Sequence, residues 1–360
     1  MSAVTKPSRD LSLDAFRGLT VVLMMLVNFQ PGEAAWPPLA HARWNGLTLA
    51  DLVFPWFLLI VGMSVALAGD GRAPRLGKAM RRSALLFALG VILAWLIRPS
   101  LEMSGIRWLG VLQRIAIVYL VCVAAARRSG GWRASAAVTL LVLVVHWILL
   151  HGDPPGPAGA SLEPGEGMAG WLDRALLPGR LYPPGYDPEG LLSSLGAVAT
   201  GLAGLGLARA SREFALPPRS IAFGAMVTAL LGLLVALITE LPLNKALWTP
   251  GFVLVTAGSG ALLWAGLRAA WQRMGTSTPA RLFSFCGRTA LTMYVVHMLL
   301  IAILVRHLPE GSRLWDAGYG ALLGAGLPPT LAALYFALLA TVLSILVTAS
   351  FARRGLILRL

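Results

Sequence analysis

The segment Ile221-Ala-Phe-Gly-Ala-Met-Val-Thr-Ala-Leu-Leu-Gly-Leu-Leu-Val-Ala-Leu-Ile238 is a run of 18 residues without a charged side chain. As a helix it would be about 27 Å long, close to the roughly 30 Å hydrocarbon core of a bilayer. Because the run is apolar on every side, it indicates a membrane-spanning helix rather than an amphipathic helix of a soluble domain.

The composition extends this interpretation to the whole chain of 360 residues. Hydrophobic residues make up 57% of the sequence, charged residues only 13%, and the mean hydropathy is +0.73. These values exclude a soluble multidomain protein. The sequence therefore predicts an all-α polytopic membrane protein, since a helix satisfies its own backbone hydrogen bonds in lipid.

Ten apolar segments are long enough to cross the bilayer as helices. They cover residues 13–29, 50–68, 79–97, 109–126, 134–150, 191–209, 219–239, 247–267, 284–305 and 331–351. About ten helices would place both termini on the same side and form one transmembrane domain over residues 1–360. The long connection, residues 151–190, predicts an external cap.

The formal net charge of +14 is explained by topology. When every second connection is assigned to one side, 21 Lys and Arg lie on the side of the N-terminus and 8 on the other, with Arg114 inside a segment. The positive-inside rule then places both termini in the cytoplasm, and the excess charge does not require a nucleic-acid partner.

Soluble-type cofactor motifs are absent from the sequence. It contains no Walker A motif, no GxGxxG opening a βαβ unit and no HExxH. Cys122 and Cys286 both lie in apolar segments, which argues against a disulfide framework or a cysteine metal site. We therefore expect no metal cofactor.

Charged and amide side chains at membrane depth are functional candidates, because each costs roughly 2 to 3 kcal/mol to insert. At about 100° per residue, Asp14, Arg17 and Asn28 fall on one face of the first helix and predict a polar stripe roughly 20 Å long. In the alternative, Asp14 pairs with Arg17 while Asn28 only caps the helix. Gln113 and Arg114 of the fourth segment should face a polar cavity or an acid.

The first external connection contains His41, Trp44 and Asn45, and Asp51 follows at the start of the next segment. Imidazole is suited to acid–base work near neutral pH, and a carboxylate within reach would orient it. The spacing leaves open whether Asp51 reaches His41. A solvated loop histidine is the structural alternative.

Five motifs stand in a fixed order along the chain. They are Ser12-Leu-Asp-Ala-Phe-Arg-Gly18, His41-Ala-Arg-Trp-Asn-Gly-Leu-Thr-Leu-Ala-Asp-Leu-Val-Phe-Pro-Trp-Phe57, Gly110-Val-Leu-Gln-Arg114, Tyr186-Asp-Pro-Glu-Gly190 and Pro242-Leu-Asn-Lys-Ala-Leu-Trp248. Together they resemble the transmembrane core of the lysosomal heparan-α-glucosaminide N-acetyltransferase family and its bacterial relatives. The resemblance runs from about residue 11 to the end of the sequence, and the second motif is long and specific.

This resemblance implies an acyltransferase that moves an acetyl group from cytoplasmic acetyl-CoA, its co-substrate, to an amino sugar on the external side. It implies His41 as the catalytic residue and Asn28 at the end of the preceding helix. It also implies a multi-pass protein of the bacterial inner membrane and a homodimer. The expected partners are therefore the lipid bilayer, coenzyme A and an amino-sugar or glycan acceptor.

Three sets of site residues follow. The predicted catalytic residues are His41, Asn28 and Asp51, with His41 either a general base or a covalent acetyl carrier. The predicted contacts of acetyl-CoA are Asp14, Arg17, Gln113, Arg114 and Arg288. The predicted contacts of the acceptor are Trp44, Asn45, Asp187, Glu189, Asn244, Lys245 and His297.

Two alternatives remain open at this stage. The external acceptor residues would also fit a structured loop, and a buried histidine such as His297 is commonly satisfied by one neighbour. A membrane transporter or flippase for a sugar or a lipid-linked glycan would use the same intramembrane polar groups as a substrate path.

Overall fold

The computed structural model describes residues 10–31, 34–68, 73–128, 130–157, 159–274, 277–307 and 311–358, without the side chains of 272–274. Its helices are α1 (Leu11–Asn28), α2 (Leu49–Leu67), α3 (Leu76–Ile97), α4 (Val111–Ala126), α5 (Gly131–Leu150), α6 (Gly167–Leu176), α7 (Ser193–Glu213), α8 (Pro218–Ile238), α9 (Pro250–Met274), α10 (Thr278–Arg288), α11 (Ala290–Leu304), α12 (Leu314–Gly324) and α13 (Pro329–Arg353). Four basic residues used for the predicted orientation, Lys6, Arg9, Arg72 and Arg359, lie outside the described residues.

The protein is a polytopic helical membrane protein. Among the described residues, seven helices are long and apolar enough to cross a bilayer: α1, α2, α3, α5, α8, α9 and α13. The bent pair α10 and α11 would make an eighth span. The other two predicted segments are also helical, although α4 has only 16 residues and α7 is rich in Gly, Ala and Ser. Ten spans and cytoplasmic termini remain predictions.

The prediction of one helix over residues 284–305 is wrong. α10 ends at Arg288, α11 begins at Ala290, and their axes are bent by 76°. α10 carries Arg281, Ser284 and Arg288 among its apolar residues, whereas α11 is apolar almost throughout. An amphipathic helix is favoured along a polar boundary, whereas an apolar helix is favoured inside the bilayer. This difference explains why the axes of α10 and α11 point in different directions.

Helix α2 lies at the centre of the bundle, where it packs against α1, α4, α7 and α9. Glycines set its distance from α7. A Cβ on Gly62 would collide with the backbone of Gly201, and one on Gly204 would collide with the backbone of Leu59. Small residues permit such close approach between helices in membranes. The faces of α3, α5 and α8 are largely exposed and apolar, as expected for lipid contact.

The connection over residues 151–190 is an ordered cap in its described part. Asp173 of α6 accepts hydrogen bonds from the backbone N–H groups of Asp187 and Leu191, each at 2.9 Å. The indole of Trp44 donates to the carbonyl of Leu162 at 2.9 Å. The cap is thereby joined to the loop that contains His41.

Candidate functional site

His41 is held by a carboxylate in the first turn of α2. Oδ2 of Asp51 accepts hydrogen bonds from the N–H of Ala42 at 3.1 Å, and from the N–H and hydroxyl of Thr48 at 3.2 and 2.9 Å. Its other oxygen, Oδ1, lies 2.7 Å from Nδ1 of His41. Asp51 is 1% exposed, whereas the side chain of His41 is 46% exposed. A buried, fixed acceptor at Nδ1 favours the tautomer with its proton on Nδ1, which leaves Nε2 able to accept a proton.

Lys245 completes this group from the loop between α8 and α9. Its Nζ lies 3.5 Å from Oδ1 of Asp51, 3.1 Å from Nδ1 of His41 and 3.5 Å from Nε2 of His41. Burial lowers the pKa of the Lys245 amine, and the charges of Asp51 and Glu189 oppose that effect. An amine with a lowered pKa is therefore in contact with the imidazole.

Asn244 and Asn45 position Lys245. Nδ2 of Asn244 donates to Oδ1 of Asn45 at 2.9 Å, and Oδ1 of Asn244 accepts from the N–H of Leu247 at 2.8 Å. The N–H of Gly46 donates to the carbonyl of Leu243 at 2.8 Å. The two asparagines predicted as acceptor contacts thus join the loop of His41 to the loop of Lys245.

Asp187 and Glu189 are both engaged by Arg107. Nε and Nη2 of Arg107 donate to the two carboxylate oxygens of Asp187 at 2.9 and 2.6 Å, and Nη2 also contacts Oε2 of Glu189. Burial would lower the pKa of Arg107, but the hydrogen bond to Asp187 and the charge of Glu189 outweigh it and raise the pKa. Burial would likewise raise the pKa of Glu189, but the positive charges of Arg107, Arg114 and Lys245 lower it. Both acids are thus partners of Arg107, a residue that the sequence analysis did not select.

A cavity of about 500 Å³ lies between α1, α2, α3, α4 and α11. Its walls are mostly apolar, and include Met24, Ile60, Leu112 and Leu291. Along α2 the lining residues extend from Phe57 towards the C-terminus of the helix, where Val65 and then Ala68 line it, a length of about 16 Å.

Three arginines line the cavity near the N-termini of α1 and α3 and the C-terminus of α10: Arg17, Arg82 and Arg288. Arg17 donates to the hydroxyl of Ser64 at 2.7 Å and to Oδ1 of Asp14 at 3.0 Å. The guanidinium of Arg82 lies 4.7 Å from the ring centroid of Tyr119. A cationic end on a long apolar cavity suits an anionic ligand with an extended apolar arm.

The predicted stripe of the first helix does not line one continuous path. Arg17 lines the cavity, Asp14 is buried and paired with Arg17, and Asn28 is exposed as the last residue of α1. Of the three residues of the stripe, Arg17 alone is among the described lining residues of the cavity.

Two further candidates are packed inside the protein. Arg114 is 1% exposed and donates to the hydroxyl of Ser193 at 2.5 Å and to the carbonyl of Gly190 at 3.3 Å, which ties α4 to the start of α7. Gln113 packs against Gly90 of α3. Neither is among the described lining residues of the cavity.

His297 is also buried. Its ring packs edge-on against Phe29, with the centroids 5.0 Å apart. This location inside the bundle differs from that of the exposed His41, so the structure does not bring His297 to the acceptor side of the site.

Sequence reasoning missed Arg82, Arg107 and Tyr119. Arg82 was counted only as a topology charge, and its stacking on Tyr119 joins two helices. Arg107 lies 80 residues from Asp187 in the chain. The alternation of apolar and basic residues at the start of α3 is the one sequence feature that indicates a cationic end of the cavity.

The chain is similar to known proteins over most of its length. The family model described as "Heparan-alpha-glucosaminide N-acetyltransferase, catalytic" matches residues 9–153, a range that contains His41, Asp51, Arg17 and Arg82. The chain is thus similar to heparan-alpha-glucosaminide N-acetyltransferases. It is 28% identical to the heparan-alpha-glucosaminide N-acetyltransferases of Mus musculus and Homo sapiens, over 80% and 81% of this chain. Each alignment covers 53% of the relative, so the chain spans about half the length of the curated proteins it matches.

Proposed function

We propose that the protein is a transmembrane acetyltransferase that moves an acetyl group from cytoplasmic acetyl-CoA to the amine of an amino sugar on the external side. The observation that carries the proposal is the exposed His41 imidazole, held at 2.7 Å by the buried Asp51 in a chain similar to N-acetyltransferases. In this proposal the protein lies in the bacterial inner membrane with its basic side towards the cytoplasm. A homodimer remains a prediction from family resemblance.

Coenzyme A fits the cavity by its chemistry. The phosphates would contact Arg17, Arg82 and Arg288, whose guanidinium groups suit phosphate oxygens, and the pantetheine arm would follow the apolar walls. Asp51 precedes Phe57 by six residues, which corresponds to about 9 Å along α2. The thioester therefore has to extend beyond the described cavity to reach His41.

Three buried polar residues, Asp14, Gln113 and Arg114, would act indirectly by holding other residues in place. Asp14 orients Arg17 through their ion pair. Gln113 and Arg114 hold α4 against α3 and α7, which keeps the walls of the cavity in place. The sequence predicted that these three residues contact coenzyme A directly. In this proposal they support the cavity instead.

The chemistry uses His41 as a proton acceptor. The sugar amine attacks the thioester carbonyl, Nε2 of His41 takes the proton, and the carboxylate of Asp51 stabilises the imidazolium. The C–S bond breaks, and the proton passes to the thiolate to give free coenzyme A. A positioned donor such as the Asn28 amide would stabilise the oxyanion, an effect of about 3 kcal/mol.

The alternative route has His41 as the acetyl carrier. Nε2 attacks the thioester, coenzyme A leaves as the thiol, and the sugar amine then takes the acetyl group from the imidazole. In both routes the acceptor approaches the exposed face of His41. Lys245, whose Nζ lies 3.5 Å from Nε2 of His41, would contact a hydroxyl-rich ligand, and the charge of Glu189 acts on Lys245. Trp44 would join the cap to the loop of His41.

The decisive experiment measures thiol release. Protein purified in detergent receives acetyl-CoA with and without glucosamine, and free coenzyme A is followed with a thiol reagent. We expect glucosamine-dependent release by the wild type and none by His41→Ala. His151→Ala is the matched control, because His151 is an exposed histidine whose Nδ1 contacts the carbonyl of Trp147 at 2.8 Å.

Two results would overturn the proposal. One is a wild type that neither binds coenzyme A nor releases thiol. The other is His41→Ala with unchanged release. Glucosamine uptake by proteoliposomes without acetyl-CoA would support a transporter instead.

A further inference from the structure

Lys245 places a primary amine beside the imidazole of the candidate base His41. Its Nζ lies 3.5 Å from Nε2 of His41, the atom that takes either the proton or the acetyl group in the proposed function. Reacting atoms in productive complexes are about 3 to 3.5 Å apart. The chain thus carries its own primary amine at reaction distance from the base.

The surroundings of Lys245 also keep its amine accessible and in place. Its side chain is 25% exposed, so it retains access to a ligand that enters the site. The loop that contains it is fixed by the pair Asn45 and Asn244, so the amine stays beside the imidazole. Its neighbours of opposite charge are Asp51 at 3.5 Å and Glu189, which is itself paired with Arg107.

Resting on the proposed function, we propose that Lys245 is an internal acetyl acceptor that becomes Nζ-acetylated when acetyl-CoA is present without a sugar amine. In the direct route, Nζ attacks the thioester carbonyl, the C–N bond forms, the C–S bond breaks, and the Nζ proton passes through His41 to the thiolate. In the carrier route, the acetyl–Nε2 bond of His41 breaks as the acetyl–Nζ bond forms, and the imidazole takes the Nζ proton. Either route converts acetyl-CoA and a lysine amine to acetyl-lysine and free coenzyme A.

Acetylation would block the site. The product is a neutral amide in contact with His41, and it removes the ammonium group from beside Asp51 and Glu189. The acetyl group would also fill space on the acceptor side of the imidazole. Acetyl-lysine at position 245 is therefore an inhibited form that accumulates when acceptor is scarce.

The sequence makes the test unambiguous, because it contains only three lysines: Lys6, Lys78 and Lys245. Full-length protein in detergent is incubated with acetyl-CoA without glucosamine, and its peptides are mapped by mass spectrometry. We expect one acetyl group on Lys245 in the wild type and in Lys78→Arg, the matched control. We expect none at this position in His41→Ala, and slower loss of activity on preincubation in Lys245→Arg than in Lys78→Arg.

The outcomes separate this inference from the proposed function. Normal glucosamine-dependent thiol release with unmodified Lys245 would overturn the inference and leave the function intact. Equal labelling of Lys245 in wild type and His41→Ala would overturn it too, because the reaction would then be uncatalysed. Absence of both thiol release and label would overturn both. A size-exclusion profile and a melting curve for each variant verify that it is folded.

Discussion

Nδ1 of His41 lies 2.7 Å from Oδ1 of Asp51, while Oδ2 of the same carboxylate is bound by the N–H and hydroxyl of Thr48. The capping box that begins α2 thus also aims the imidazole. A helix-capping carboxylate has little rotational freedom, so its second oxygen offers Nδ1 an acceptor in a fixed place. The start of a transmembrane helix and the orientation of the candidate base are set by one side chain.

Replacement of Asp51 tests this orientation. In Asp51→Asn, the side-chain NH₂ facing Nδ1 would favour the tautomer with its proton on Nε2, and the base would be lost. We expect thiol release to fall by roughly 10²-fold or more, the usual size of a general-base effect. The melting temperature should change less, because the amide oxygen of Asn can still accept the hydrogen bonds that Ala42 and Thr48 donate to Oδ2 of Asp51. Activity within a few-fold of wild type in a folded Asp51→Asn protein would rule out this role.

The sequence alone predicted ten helical segments and selected His41 as a candidate, but it predicted neither α6 nor α12 and only part of the contacts around His41. An apolar run of about 20 residues can be recognised from the sequence alone. All ten predicted segments are helical, one of them as two helices. The break after Arg288 was not predicted because the apolar run continues across it. The sequence feature that marks the break is the change from the amphipathic α10 to the apolar α11.

Long-range pairs account for the rest. Whether Asp51 meets His41 depends on how the loop of residues 41–48 folds back on α2, which spacing does not determine. The ion pairs of Arg107 join residues 80 and 82 positions apart, and the approach of Lys245 to His41 joins residues 204 positions apart. Such contacts depend on helix packing, so no local pattern predicts them.

Arg107 should stabilise the cap. In Arg107→Met, Asp187 and Glu189 lose their buried guanidinium partner, and breaking a buried ion pair costs about 3 to 5 kcal/mol. We expect a clearly lower melting temperature in detergent at neutral pH. Arg98→Met, which alters an exposed arginine, is the control and should melt close to wild type.

The same variant carries a pH prediction. The pKa of Glu189 is lowered in the fold, so its ionised form stabilises the protein above its ordinary pKa of about 4.3. That contribution is lost as pH falls through the lowered pKa, while Arg107, whose pKa is raised, stays charged. Wild-type melting temperature should therefore drop below about pH 4, and the drop should be smaller in Arg107→Met. Parallel acid profiles would show that this ion pair does not control acid stability.

Because α2 and α7 pack closely, the protein should not tolerate a larger side chain at Gly62. A Cβ at this position collides with the Gly201 backbone, so Gly62→Ala should destabilise the protein by about 1 to 3 kcal/mol, the usual cost of overpacking. A Cβ at Gly224 of α8 would meet no atom within 4 Å, so Gly224→Ala should be neutral or slightly stabilising. Thermal unfolding in one detergent compares the two; similar melting temperatures would contradict the packing described for α2 and α7.

The arginines of the cavity should determine affinity for acetyl-CoA rather than the rate of transfer. Arg82 lines the cavity and stacks on Tyr119, whereas the neighbouring Arg81, exposed like Arg82, is not among the described lining residues. Loss of one charged hydrogen bond of about 1.5 to 3 kcal/mol would raise the KM for acetyl-CoA by roughly tenfold or more in Arg82→Gln. The value of kcat should change little, because Arg82 lies at the opposite end of the cavity from His41. Arg81→Gln should keep the wild-type KM, and Arg82→Lys should fall between the two. Equal effects of the two glutamine variants, or a fall in kcat at unchanged KM, would place the phosphates of coenzyme A elsewhere.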